Sequence, residues 1–201
     1  CTIEVAYSPT APVVSNDTID INYNDGVGAQ NTTRDVQGTG QNPATLTITE
    51  TDPYDYGTVT VLSTASHIFT LSNTGGVAAT AISEIGLAVP FQFVGGAFPG
   101  TGGTCTTTIN AGANCDVVFE YAPTASGFAS DTIDFSYFDG VNTQNVTRDI
   151  QGTGLTPAVL TISELDPYSY GTQPTGSVTQ HIFVVSNTGG TTATGLSLIH
   201  I

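Results

Sequence analysis

The sequence predicts an all-β protein built from tandem antiparallel β-sandwiches, with one complete copy between two partial ones. Three observations point there: the chain repeats itself, its apolar residues alternate over short runs bounded by turn residues, and no segment holds a helical period. The repetition is direct. "NDGVGAQNTTRDVQGTG", ending at Gly40, returns as "FDGVNTQNVTRDIQGTG", ending at Gly154, an offset of 154 − 40 = 114 residues. The offset holds without a gap. "PATLTITETDPYDYG" from Pro43 returns as "PAVLTISELDPYSYG" from Pro157, "HIFTLSNTGG" from His67 returns as "HIFVVSNTGG" from His181, and about half of the overlapping positions are identical. A period of this length is that of a whole small domain, too long for a solenoid unit. Residues 1–40 therefore read as the C-terminal part of a truncated copy. Residues 41–154 read as a complete copy long enough to bury its own core, and 155–197 as the N-terminal part of a third.

Within the complete copy, "TLTITE" (45–50) alternates apolar and polar residues, as a half-buried strand does, and "SHIFTLSN" (66–73) does the same before a Thr-Gly-Gly turn. "ATAISEIGL" (79–87) carries Ile82 and Leu87 into another extended segment, and "FQFVGG" (91–96) alternates briefly before a Gly-Pro-rich loop. "CTTTIN", the turn "AGAN" and "CDVVFEYAP" (105–123) read as a hairpin. "DTIDFSYFDG" and "QNVTRDIQG" (131–152) read as a second one about an Asp-Gly turn, which suits the positive φ of tight hairpins. About seven short strands at regular spacing argue for a sandwich of immunoglobulin-like type. The core expected from alternation is Leu46, Ile48, Ile68, Val117, Phe119, Ile133, Phe135, Val146 and Ile150.

The order "F.LSNTGG.AAT.I", "PF.F", "C...I.AG..C.V.F.YAPT..G..SDTI.F", "QGTG" resembles bacterial members of the ASPM/Hydin-type (ASH) immunoglobulin-like domains, as in choice-of-anchor D domain-containing proteins. The resemblance covers the complete copy and both partial ones. It implies a major-sperm-protein-like sandwich, and in bacteria tandem repeats of large secreted or surface proteins; the eukaryotic relatives are ciliary and centrosomal. It carries over no catalytic residue.

Composition narrows the function classes. The net charge is −15, lysine is absent, and Arg34 and Arg148 are the only cationic side chains besides histidine. Nucleic-acid binding and attraction to an anionic membrane surface both need a basic footprint that this chain lacks. No apolar run is long enough to span a bilayer, and nothing resembles a signal peptide. The acidity favours solubility and discourages self-association; it also allows weak attraction of divalent cations.

Cys105 and Cys115 flank the turn "NAGA", and a turn centred on Asn110 sets them opposite each other, within bridging reach. A disulfide is the expectation; the alternatives are a metal site or a reactive thiol. A metal would need further ligands, and neither His67 nor His181 has a Cys or His at ligand spacing. Cys1 is the counterpart of Cys115, so its partner position lies ten residues upstream of the sequence. One disulfide per copy points to an oxidising compartment and hence to export.

Other residues invite a functional reading beside a structural one. His67 and His181 are read as half-buried strand histidines in preference to pH-sensitive ligands. Arg34 and Arg148 each precede an aspartate that faces the other way along the strand. A hairpin centred on Val141 sets Asp134 across from Arg148. A register shifted by one aligns Ile133 with Ile150 and Phe135 with Arg148, and the sequence leaves both open. "DPYDYG" and "DPYSYG" combine carboxylates with tyrosines as glycan- or calcium-binding loops do, but Asp55 becomes Ser169 and no EF-hand or RTX spacing is present. An ordinary turn with ring packing is the simpler reading. Catalytic motifs of the GxSxG or HExxH kind are absent, and no cofactor site is expected.

The resulting expectation is a non-catalytic structural, spacer or adhesion segment of a large exported bacterial surface or secreted protein. Its partners are neighbouring repeats in the same chain, with a surface glycan or protein as a further partner. The alternatives are a glycan- or protein-binding module of a secreted enzyme and an intracellular scaffold of ciliary type. The terminal "LSLIHI" resembles the translation of a transposon-end adapter used in DNA sequencing, so residues 198–201 are expected to be an artefact and His200 is set aside.

Overall fold

A computed structural model describes residues 1–197; the adapter-like segment 198–201 lies outside the described residues. The described residues form twelve strands: β1 Val14–Asn24, β2 Ala29–Thr39, β3 Leu46–Ile48, β4 Tyr54–Thr60, β5 Ala65–Asn73, β6 Thr80–Glu84, β7 Phe91–Phe93, β8 Asn114–Tyr121, β9 Gly127–Phe138, β10 Thr143–Leu155, β11 Leu160–Ile162 and β12 Val185–Asn187. β3 to β10 form two four-stranded sheets, ordered β4-β10-β9-β6 and β3-β5-β8-β7. They face each other as an immunoglobulin-like sandwich. β1 pairs with β2 and β11 with β12 as separate two-stranded ladders.

Every pairing is antiparallel except β4 with β10. The chain enters the second sheet as β3 beside β5, crosses at residues 49–53, and joins the first sheet as β4 parallel to the last strand. β4 is a strand that the residue pattern does not announce, because "DPYDYG" carries turn residues and its strand partner lies about a hundred residues downstream. The expected strand at 105–110 is not formed either. β8 pairs with β5 and β7, and Ile109 makes only an isolated bridge to Ala79.

Of the expected core, Leu46, Ile48, Val117, Phe119, Ile133, Phe135 and Ile150 are buried and Val146 is partly so. Ile68 is a correction, at 52 % exposed. In β5 it is the odd-numbered residues Phe69, Leu71 and Asn73 that face inward. Alternation fixes two opposed faces but not which one is wet, and both carry apolar residues here. Phe91, Ile82, Ile109 and Tyr121 complete the interior, with Phe119 stacked on Phe93 at 4.6 Å and Phe91 on Tyr121 at 4.9 Å. The Tyr121 ring also explains "QGTG". A Cβ at Gly152 would stand 2.7 Å from that ring, and one at Gly38 would stand 2.6 Å from Tyr7, the same contact one period earlier.

The last hairpin adopts neither register considered above. Arg148 stands opposite Ile133 and Val146 opposite Phe135, with Thr143 opposite Phe138. Four residues, 139–142, make the loop, and Asp139 organises it. Its Oδ1 accepts the amides of Val141 and Asn142, both at 2.7 Å, and its Oδ2 accepts Gln144 Nε2 at 3.1 Å. Asp25 holds Val27, Gly28 and Gln30 in the same way.

Asn73 is the fully buried polar side chain at the heart of this arrangement. Its Oδ1 accepts Thr45 N at 3.1 Å and Gly75 N at 3.0 Å; its Nδ2 donates to Val77 O at 2.8 Å and Ile109 O at 3.0 Å. Asn73→Ala takes the side-chain partner from the Thr45 and Gly75 amides and from Val77 O, while Ile109 O keeps the Ala79 amide, and is expected to lose about 3 kcal/mol, read as a lowered urea midpoint. An unchanged midpoint would show that water replaces the amide without cost.

Candidate functional site

The structure brings together three groups singled out above: the "DPYDYG" segment, His67 and Arg148. β4 and β5 lie across from each other at the crossing of the chain. Tyr54 stacks on His67 with ring centroids 4.0 Å apart and an interplanar angle of 21°, and meets Phe69 edge-on at 5.1 Å. Tyr56 meets Tyr54 edge-on at 5.0 Å and reaches inward to Phe91 and Tyr121. The cluster recurs in the third copy, with Tyr168 on His181 at 4.1 Å and Tyr170 edge-on at 5.0 Å. Ring packing is thus the work of both "DPYxYG" segments.

The carboxylates of this segment are spent on the backbone and on neighbouring side chains. Asp52 pairs with Arg148 at 3.4 Å and accepts Asp149 N, while Asp55 accepts Gly57 N and Gln151 Nε2. Arg148 points between the sheets and donates to Ile48 O at 2.7 Å, so it fastens the end of β3 to β10. Asp134 takes Asn145 Nδ2 instead of an arginine. Glu50 accepts Thr70 N, while its counterpart Glu164 lies 3.1 Å from His181 Nε2. The Ser163 hydroxyl, then His181, hold the Glu164 carboxyl below the usual glutamate range. Burial, reinforced by Tyr54 and Glu120, pushes the Tyr56 phenol well above its ordinary value. Its hydroxyl, Glu50 Oε2 and Arg148 Nε are buried without partners. No group of three or more His, Cys, Asp or Glu among the described residues is placed to hold a metal ion.

Cys105 and Cys115 are joined, with Cα atoms 4.9 Å apart. The geometry differs from a hairpin pair. Cys115 lies on β8, and Cys105 sits on a crossing segment pinned to that strand, where Asp116 O accepts the amides of Thr104 and Cys105. Cys1 is a free thiol. Elsewhere an open apolar groove of about 490 Å³ runs past Val89, Pro90, Tyr121, Pro123 and Phe128, without titratable side chains other than Tyr121.

No family model matches the chain, and no curated protein matches it. Among solved structures it is similar to the ASH/PapD-like domain (PapD-like domain 7) of human CEP192, with 12% identity and a TM-score of 0.42 over 57% of this chain and 88% of that one. It is also similar to the Vibrio cholerae VesB protease, with 16% identity and a TM-score of 0.40 over 56% of this chain and 32% of that one. A protein of unknown function from Porphyromonas gingivalis W83 shows 11% identity and a TM-score of 0.38 over 73% and 68%. Likeness at this level carries no functional argument, and the sandwich rests on the strand pairing described above.

Two measurements follow from these contacts. Reducing the Cys105–Cys115 bond is expected to cost about 3 kcal/mol through the entropy of the short loop it closes, read as a lower Tm with reductant than without. An equal Tm in both would refute it. The Asn142 and Val141 amides hold the Asp139 carboxyl below its ordinary value. Because the folded pKa is the lower one, its stabilisation is complete above the unfolded aspartate pKa near ~4 and fades as pH falls through the folded value. Asp139→Asn should therefore lower Tm at pH ~7 and narrow its deficit in more acidic buffer; a deficit constant with pH would remove the carboxylate from the account.

Proposed function

We propose that the chain is a non-catalytic spacer or adhesion segment of a large exported bacterial protein, of the choice-of-anchor D kind, in which like sandwiches follow one another. The recurrence of one internal framework at the 114-residue period carries the reading. The Asp25 and Asp139 loops, the Tyr54–His67 and Tyr168–His181 stacks, and the Asn73 and Asn187 turns repeat bond for bond. What recurs is scaffold. The repeated carboxylates Asp25 and Asp139 hold turns, Glu50 and Glu164 bind neighbouring groups, and the repeated histidines stack on tyrosines. The disulfide supports an oxidising compartment, and among the described residues no helix is long and apolar enough to cross a membrane.

Short joints such as "GTGLTP" (152–157) favour this use, since Val61 N donates to Leu155 O and ties the start of the joint to the sandwich. Small-angle scattering of the 201-residue chain, extrapolated to infinite dilution, is expected to give a radius of gyration well above the ~17 Å of a compact globule of this length. A compact, globular profile would overturn the spacer reading.

A further inference from the structure

The complete copy keeps its most exposed large apolar side chains at its two ends. Val77 and the hairpin tip Val141 stand where the chain enters; Leu62, Val89 and Phe128 stand where it leaves. Leu62, Val89, Phe128 and Val141 are 85 %, 83 %, 67 % and 65 % exposed, more than any large apolar side chain on its flanks. Val141 follows the Asp-Gly pair of its loop, and Val27 stands in the same place one period earlier, 98 % exposed. The turn uses the aspartate carboxylate and the positive φ of the glycine, and gives the valine side chain no role. The joints between copies are at most one residue long. Gly40 N donates to Val13 O in the first copy, Asn42 O accepts Gly76 N in the second, and Gln41 alone lies between. One period on, Val61 N donates to Leu155 O before the joint, and Thr156 O and Oγ1 accept Gly190 N after it. The Cα atoms on either side of Gln41 stand no more than ~7 Å apart, so the facing ends stay beside each other whatever angle the joint takes.

An open cleft of about 410 Å³ lies at the first joint. Thr39 and Gln41 line it on one side, and Val77, Phe138, Asp139 and Val141 of the complete copy line it on the other. Thr39 pairs with Val14, and the counterpart of that pair is Thr153 with Phe128. The preceding copy thus brings an exposed apolar residue to the rim of the cleft, a valine in one copy and a phenylalanine in the next. Charge does not oppose the approach, because the Asp139 carboxylate is turned into its own loop. We propose that consecutive copies dock end to end, the valine tip of each "DGV" hairpin seating against the residue at the Phe128 position of the copy before it. Val77 and Phe138 form the floor of the contact, and removing these side chains from water supplies its cohesion. The partner of this surface is the neighbouring copy in the same chain, and the joint is a packed contact in place of a free hinge. The inference rests on the row of like copies in the spacer reading and adds that the row is stiff.

Residues 41–155 hold both sheets, the whole core and the disulfide, and so fold as a unit. Two units in series, 41–155 followed directly by 42–155, keep the period and give one joint with both of its ends whole. Residual dipolar couplings of this protein, measured by NMR, test the docking. Both units are expected to share one alignment tensor. Phe128→Ser in the first unit together with Val141→Ser in the second is expected to give two tensors of unequal size. Two tensors before any substitution, or one tensor that survives both, would overturn the proposal. Crosslinking gives an independent measure. Thr153→Cys in the first unit with Val141→Cys in the second is expected to join within one molecule on mild oxidation. Thr147→Cys, six residues and roughly 20 Å away on the same strand face, is expected not to join Val141→Cys. Equal yields from the two pairs, or none from either, would also overturn it. Units that tumble freely would still form an extended row, so that failure leaves the spacer reading to the scattering experiment above.

Discussion

Asn73 uses both of its amide protons and both oxygen positions inside the protein, and each bond goes to a different part of the chain. One holds the start of β3, one closes the Thr-Gly-Gly turn, one fixes the chain leaving that turn, and one captures Ile109 on the crossing segment. A buried amide with all its bonds made costs little, whereas the same amide half-satisfied would open the fold. Its four partners lie where the sandwich has no sheet ladder of its own. Asn73 thereby adds one bond to the crossing segment, which Ala79, Ile82 and Asp116 also hold near β8. Asn187 shows the same preference where neighbouring structure is sparse, since it holds Val159 N, Gly189 N and Thr191 O.

The sequence made the architecture legible and the details less so. Repetition and alternation disclose an all-β chain, the strands around Phe69, Phe119, Phe135 and Ile150, and the two cysteines that meet. They do not disclose β4, whose partner is β10 at long range, because a period of two over "YDYGTVT" is masked by turn residues. Ile68 and Phe69 could exchange faces without altering the pattern, and only the packing of Phe69 against Tyr54 and Phe119 decides between them. The last hairpin shows how a single carboxylate can outweigh apolar matching. Asp139 dictates a four-residue loop, and loop length sets every pair beyond it.

The same limits apply to the candidate site. Tyr54, Tyr56 and His67 could each be named from the repeats, yet their stacking follows from the chain crossing between sheets, which no local pattern records. Arg148 was legible as a lone cation. Its partners, Ile48 O and Asp52, lie about a hundred residues away in sequence and beside it in space. A guanidinium can serve a carbonyl and a carboxylate at once, which suits it to the point where one edge of the sandwich changes sheets.

The parallel pairing of β4 with β10 has a consequence under tension. Pulling on the two ends of the complete copy draws β4 and β10 past each other along their own lengths. The two stretches of ladder, on either side of the irregularity between Gln151 and Thr153, are then loaded in shear and not peeled from one end. A load along the chain would meet this shear contact, and the disulfide would keep the chain between Cys105 and Cys115 from paying out.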